Sequence, residues 1–149
     1  MKKFLSFIFL LSLSFAFFSC GGDDDNPTPP EPKPEPFVWG GDWNDPDDAA
    51  YKPEYGGKYN PIQGLWKSDA DKDVGVLFTE DFKCYQVFFT SNGGYVTRLF
   101  RDKYIINDKA YEYVPNGEYW KYKMENGKFW DMPHTENDSW RGYTKVEEK

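Results

Sequence analysis

The sequence predicts an all-β protein: a small up-and-down antiparallel β-barrel of about eight strands, set behind a leader and a proline-rich linker. Three observations carry that expectation. From Ile62 onward, apolar, aromatic and β-branched residues come in runs of about four to eight, and no helical periodicity is sustained. Between the runs stand Glu80-Asp81, Ser91-Asn92-Gly93-Gly94, Asn107-Asp108, Pro115-Asn116-Gly117 and Asn126-Gly127, residues that accept the backbone of tight hairpins. A chain of strands joined in this way has two unpaired edges unless it curls and closes, so a closed cylinder is preferred to a flat sandwich.

The runs place strands at 63–68, 74–79, 82–90, 95–101, 104–106, 109–114, 119–124, 128–131 and 140–146. Residues 37–61, which precede them, mix turn residues and acids without periodicity. They also contain Trp39, Trp43, Tyr51 and Tyr55, rings that are costly to leave in water. This stretch is expected to be an ordered strap on the domain, either sealing one end of the core or lining a ligand mouth. Residues 26–36 alternate proline with polar residues, which forbids helix and sheet and favours an extended rod of about 3.1 Å per residue.

At the start of the chain, Lys2 and Lys3 precede a nearly unbroken apolar run from Phe4 to Phe18, too short to span a bilayer as a helix. Ser19 and Cys20 follow it. This arrangement resembles a bacterial lipoprotein signal, although Phe17 stands where a smaller aliphatic residue is usual. The resemblance implies that residues 1–19 are removed and that Cys20 is lipidated. Acyl chains contribute about 0.8 kcal/mol per buried methylene, so several together hold a protein on a membrane. The acidic stretch Gly21-Gly22-Asp23-Asp24-Asp25 resembles a surface-export signal of lipoproteins in certain Gram-negative bacteria. The expected location is therefore the outer membrane, lipid-anchored, on the cell surface. The expected organisation is a leader (1–19), a lipidated cysteine with its linker (20–36), a strap (37–61) and the barrel domain (62–149).

Composition limits the functions open to such a domain. Eighteen Lys and Arg face twenty-five Asp and Glu, and a net charge of −7 gives no electrostatic reason to bind nucleic acid. Aromatic residues make up 20% of the chain, more than a small core requires, so some rings are expected at a cavity or a contact surface. With Cys20 assigned to lipid, Cys84 has no intramolecular partner, and stability must come from packing.

Gly64-Leu65-Trp66 opens the first predicted strand, and Trp140-Arg141-Gly142-Tyr143 lies in the last. Here the chain resembles the lipocalin-like family, whose barrels begin with Gly-x-Trp and set a late arginine across that tryptophan. The resemblance implies a barrel-closing group of Gly64, Trp66 and Arg141, with the guanidinium over the Trp66 ring. The interior of such a barrel either fills with side chains or holds one small ligand. Phe78, Phe88, Phe100, Tyr111, Tyr113, Trp120, Tyr122, Phe129 and Trp130 are the candidates for either role.

Acids at Asp69, Asp71, Asp73 and Glu80 copy the spacing of a calcium loop, but Val74 occupies the position where that loop requires glycine, so no metal site is expected. His134 is the single histidine, and no serine or cysteine stands in a spacing that argues for a nucleophile and its base. No catalytic residue and no cofactor is expected. The leading functional expectation is a surface lipoprotein binding a small apolar or ring-stacking ligand through Trp39, Trp43, Trp120 and Trp130. The alternative is a filled module docking on another envelope or host protein.

Overall fold

The computed structural model describes residues 36–134 and 139–147, so the predicted leader, Cys20 and nearly all of the proline linker lie outside the described residues. The chain divides into two units, Met1–Pro36 and Phe37–Lys149, and the second is the folded domain. It contains eight strands: β1 (Gly64–Ser68), β2 (Val74–Phe78), β3 (Lys83–Phe89), β4 (Tyr95–Ile106), β5 (Ala110–Tyr113), β6 (Glu118–Glu125), β7 (Lys128–Pro133) and β8 (Arg141–Lys145).

Local chemistry accounts for the hairpins. Asn126 and Gly127 both take positive φ, 52° and 72°, the mirror-image turn whose twist matches its flanking strands, and they join Glu125 to its partner Lys128. Gly75 is required for another reason. A Cβ there would lie 2.3 Å from the Trp66 carbonyl oxygen, so only glycine lets β2 approach β1 this closely.

Each strand pairs antiparallel with its sequence neighbours, and β8 pairs back to β1 through Trp66 with Lys145, Lys67 with Thr144 and Ser68 with Tyr143. The ring of pairings is complete, yet the wall is not the uniform cylinder expected from the sequence. β4 pairs with β5 only over Tyr104, Ile105 and Ile106, while its residues Tyr95 to Asp102 pair with β3 alone. The long β3–β4 hairpin therefore runs past the short β5–β6 hairpin, and the wall is split between them.

The predicted strands 95–101 and 104–106 are one strand of twelve residues. The charged run Arg101-Asp102-Lys103 suggested a break. Instead β4 absorbs the irregularity in two bulges, and pairing with β3 resumes beyond each.

The interior is solid with rings. Trp66, Phe78, Cys84, Tyr104, Ile106, Tyr111, Tyr122 and Phe129 are buried together, and Ile62 joins them from the strap side. Phe78 is the hub, edge-on to Tyr104 and Tyr111 at 5.3 Å and to Phe129 at 5.5 Å. Each fully buried large apolar side chain contributes about 1.5–3 kcal/mol, and well-set ring pairs add about 0.5–1.5 kcal/mol. Two predicted interior rings are elsewhere. Phe100 is exposed beside Tyr85, its cross-strand partner, and Trp130 sits on the outer wall beneath Lys123.

The strap closes one end of this core. Asn107, 2% exposed at the β4–β5 turn, donates to the carbonyls of Trp39 and Gly41 and accepts from the amides of Lys109 and Ala110. The Trp43 amide donates to the Ile106 carbonyl, and the Tyr104 hydroxyl donates to Asn60. Trp43 stacks on Tyr55 at 5.5 Å and tilts against Tyr59 at 4.8 Å.

Candidate interaction surface at the open end

At the end away from the strap, the split wall leaves a cleft of about 300 Å³ whose lining includes Gln86, Arg101, Tyr113, Trp120, Asp131 and Arg141. Its floor is polar where the core below it is not. Asp131, 3% exposed, accepts from Arg141 Nε at 2.9 Å and from the Tyr111 hydroxyl at 3.0 Å. Burial pushes the Asp131 carboxyl up, while Arg141 and the Tyr111 phenol pull it back. Leaving this carboxylate unpaired would cost several kcal/mol, so its partners hold the floor rigidly.

Arg141 also lies 4.3 Å from the Trp120 ring, and Trp120 stacks on Tyr111 at 6.4 Å. The indole Nε1 of Trp120 is buried and meets no acceptor among the described residues. Cys84 lies at the base of the cleft with its Sγ 3.5 Å from the Tyr113 hydroxyl, and burial pushes its thiol up to about 12. Buried against the Tyr113 hydroxyl, this thiol packs as a small apolar group.

Above the cleft stands the upper β3–β4 hairpin. On β4, Tyr95 is 38% exposed, Val96 45%, Leu99 48% and Phe100 47%. Cross-strand partners share a face, so Leu99 with Gln86 and Val96 with Phe88 continue the cleft side, while Phe100 with Tyr85 and Tyr95 with Phe89 form the outer side. Val114, 51% exposed, stands just across the split, its amide donating to the Lys103 carbonyl.

The residues singled out from the sequence do not gather at one place. Trp66 is buried, its Nε1 donating to the Ile62 carbonyl at 2.7 Å, and the cation over its ring is Lys145 at 5.6 Å rather than Arg141. Arg141 serves Trp120 and Asp131 instead. The reason is register: Arg141 is the partner of Asp131 on β7, whereas Lys145 is the partner of Trp66 on β1. Gly64 takes a φ of 130°, and a Cβ added there would lie 3.2 Å from Lys145 Cε.

The four tryptophans expected to line a ligand mouth are equally dispersed. Trp43 is in the strap, Trp39 lies near Tyr119 at 6.4 Å, Trp130 is on the outer wall, and only Trp120 reaches the cleft. His134 stacks on Tyr119 at 4.2 Å. Asp69 accepts from Lys128 and Thr144, and Asp71 caps the amide of Asp73.

Fold and surface together define a class: a small all-β domain with a solid aromatic core, sealed at one end and carrying an incompletely paired strand at the other. No family model matches the chain, and no curated protein matches it. The lipocalin-like resemblance is corrected on two counts. The Gly-x-Trp and the arginine do not meet, and the interior is filled. The reading of the domain as a lipocalin-like cup for a small apolar ligand falls with it, because the space such a ligand needs is occupied by Trp66, Phe78, Tyr111 and Phe129.

Sequence reasoning placed the β3–β4 hairpin but missed the bulges and the exposed edge of its second strand. Their signal was present in the two charged residues Arg98 and Arg101, which interrupt the apolar alternation of 95–101 where the bulges fall.

Proposed function

We propose that this domain is an interaction module that docks on another protein of the cell envelope through the upper β3–β4 hairpin. The observation that carries the reading is the exposure of four large apolar side chains, Tyr95, Val96, Leu99 and Phe100, on the stretch of β4 that has no second neighbour among the described residues, in a domain that packs its other β-strand rings densely. Apolar side chains exposed on both faces of an unpaired strand edge are an aggregation hazard unless a partner covers them. The solid core supplies rigidity, so little ordering entropy opposes binding at the face it presents.

An envelope location is supported by the first twenty-five residues, with the Lys2-Lys3 start, the apolar run and Cys20 as the tether. Binding, not catalysis, is the role this reading gives the cleft: its one thiol is packed and its buried carboxylate is committed to Arg141.

Site-specific photo-crosslinkers at Leu99 and Phe100, compared with one at Trp130 on the outer wall, test the proposal in the native host. Discrete adducts from the two β4 positions and none from Trp130 are expected. Equal labelling from all three positions, or none from β4, would contradict it. Incorporation of labelled palmitate, abolished by Cys20→Ser, checks the tether separately.

A further inference from the structure

We infer that the free edge of β4 takes up an extended, acidic segment of a partner protein as an added strand, with the partner's carboxylates held by Arg98 and Arg101. This rests on the docking reading above and names the chemistry of what docks.

The edge itself is the first argument. Between Tyr95 and Asp102, β4 has β3 on one side, and its other side has no strand among the described residues, since pairing with β5 begins at Tyr104. Eight residues at roughly 3.4 Å each expose about 27 Å of alternating N–H and C=O groups, room for a strand of ordinary length.

Charge is the second. The chain has a net charge of −7, and its only three arginines, Arg98, Arg101 and Arg141, all belong to this end. Arg101 and Arg141 line the cleft, and Arg98 lies over the Phe88 ring at 5.4 Å. The rest of the basic residues are lysines. Arginine's planar fork grips a carboxylate through two parallel hydrogen bonds, which a lysine cannot do.

The bulges are the third. Gln86 pairs with Leu99 and Val87 with Thr97, so Arg98 is the extra residue; Tyr85 pairs with Phe100 and Cys84 with Asp102, so Arg101 is the extra residue. Both bulges thus fall on arginine, and a bulge re-aims the side chain it carries. Neither Arg98 nor Arg101 forms an ion pair among the described residues; Arg101 touches only Gln86 Oε1, at 3.3 Å. The nearby acids are partly engaged. Asp131 holds Arg141, Asp102 accepts from the Lys103 amide, and Asp71 caps its own turn, while Glu118 stands at the cleft rim.

These features select the occupant. A second copy of this chain added along β4 would bring guanidinium against guanidinium, which opposes pairing. A wholly apolar strand would cover Leu99 and Val96 but strip water from two arginines without compensation. A strand that sets Asp or Glu beside apolar residues satisfies both.

The test is a display selection of random dodecapeptides on the full-length protein, followed by titration of the best synthetic peptide and of its Asn/Gln isostere. Acidic residues next to aliphatic or aromatic ones should be enriched. The isostere, and the double variant Arg98→Gln with Arg101→Gln, should each bind about tenfold more weakly or worse. The double variant should melt as the wild type does, and the peptide should protect amides within Tyr95–Asp102 from exchange. Peptides that lack acids, ignore the arginine variant and are still blocked by Phe100→Ser would sink this inference while leaving the docking face intact. Peptides that bind away from β4 would sink both. A dimer formed through β4 in sedimentation experiments, lost on Phe100→Ser, would also overturn the acidic partner in favour of a second copy.

Discussion

The two ends of the domain use the same kinds of residue for opposite purposes. At the strap end, Trp43, Tyr55 and Tyr59 pack on one another, and Asn107 satisfies two amides and two carbonyls, so the strap is tied down over the core. At the hairpin end, Tyr95, Leu99 and Phe100 stay in water, and polar groups form the floor. What separates the ends is not composition but whether a neighbouring segment arrives to complete the pairing. The strap supplies it at one end; at the other, β5 stops at Tyr113 and leaves β4 to continue alone.

Breaking the sealed half should be the more damaging. Phe129→Ala, at a fully buried ring touching Trp66 and Phe78, should cost about 3–5 kcal/mol in urea unfolding, since it opens a cavity in a packed core. Asn107→Ala should cost about 2–3 kcal/mol by the same measurement, because it orphans buried backbone groups and loosens the strap.

At the boundary between the halves, Asp131→Asn sharpens the comparison through pH. Burial raises the Asp131 pKa in the folded state above its ordinary 3.8, so the folded domain holds this proton more tightly than the unfolded chain does. The sign follows: stability relative to the Asn variant should be greatest below the unfolded pKa. It should fall as pH rises from there to the raised value, then level off. Chemical denaturation of both proteins from acid to neutral pH reads this difference, and a difference that grows with pH would contradict the buried-carboxylate account.

The smallest effect belongs to the open end. Leu99→Ser with Phe100→Ser should change folding stability by no more than about 0.5 kcal/mol, as exposed positions do, while improving solubility. A large loss in thermal unfolding would mean that the hairpin is part of the core.

How far these features were legible beforehand varied with their physical origin. The β class and most hairpin positions could be read because turn chemistry is local: Asn126-Gly127 dictates its own geometry. The identity of β4 could not, because a bulge is a property of a strand pair, and the charges at Arg101 to Lys103 look alike whether they end a strand or ride through it. The partner of Trp66 was misjudged for a related reason. Lys145 and Arg141 both lie on β8, and which cation covers the indole depends on how β8 is staggered against β1, a quantity absent from either strand alone. Register likewise sends Trp130 outward, where its size suggested burial.

Native-state hydrogen exchange along β4 bears most directly on the contrast between the ends. Amides of Tyr104 and Ile106 should exchange only with global unfolding, while those of Tyr95 to Asp102 that face away from β3 should exchange orders of magnitude faster in the isolated protein. Uniform slow exchange from Tyr95 through Ile106 would mean that another segment already covers this edge, and the account of an open docking strand would be wrong.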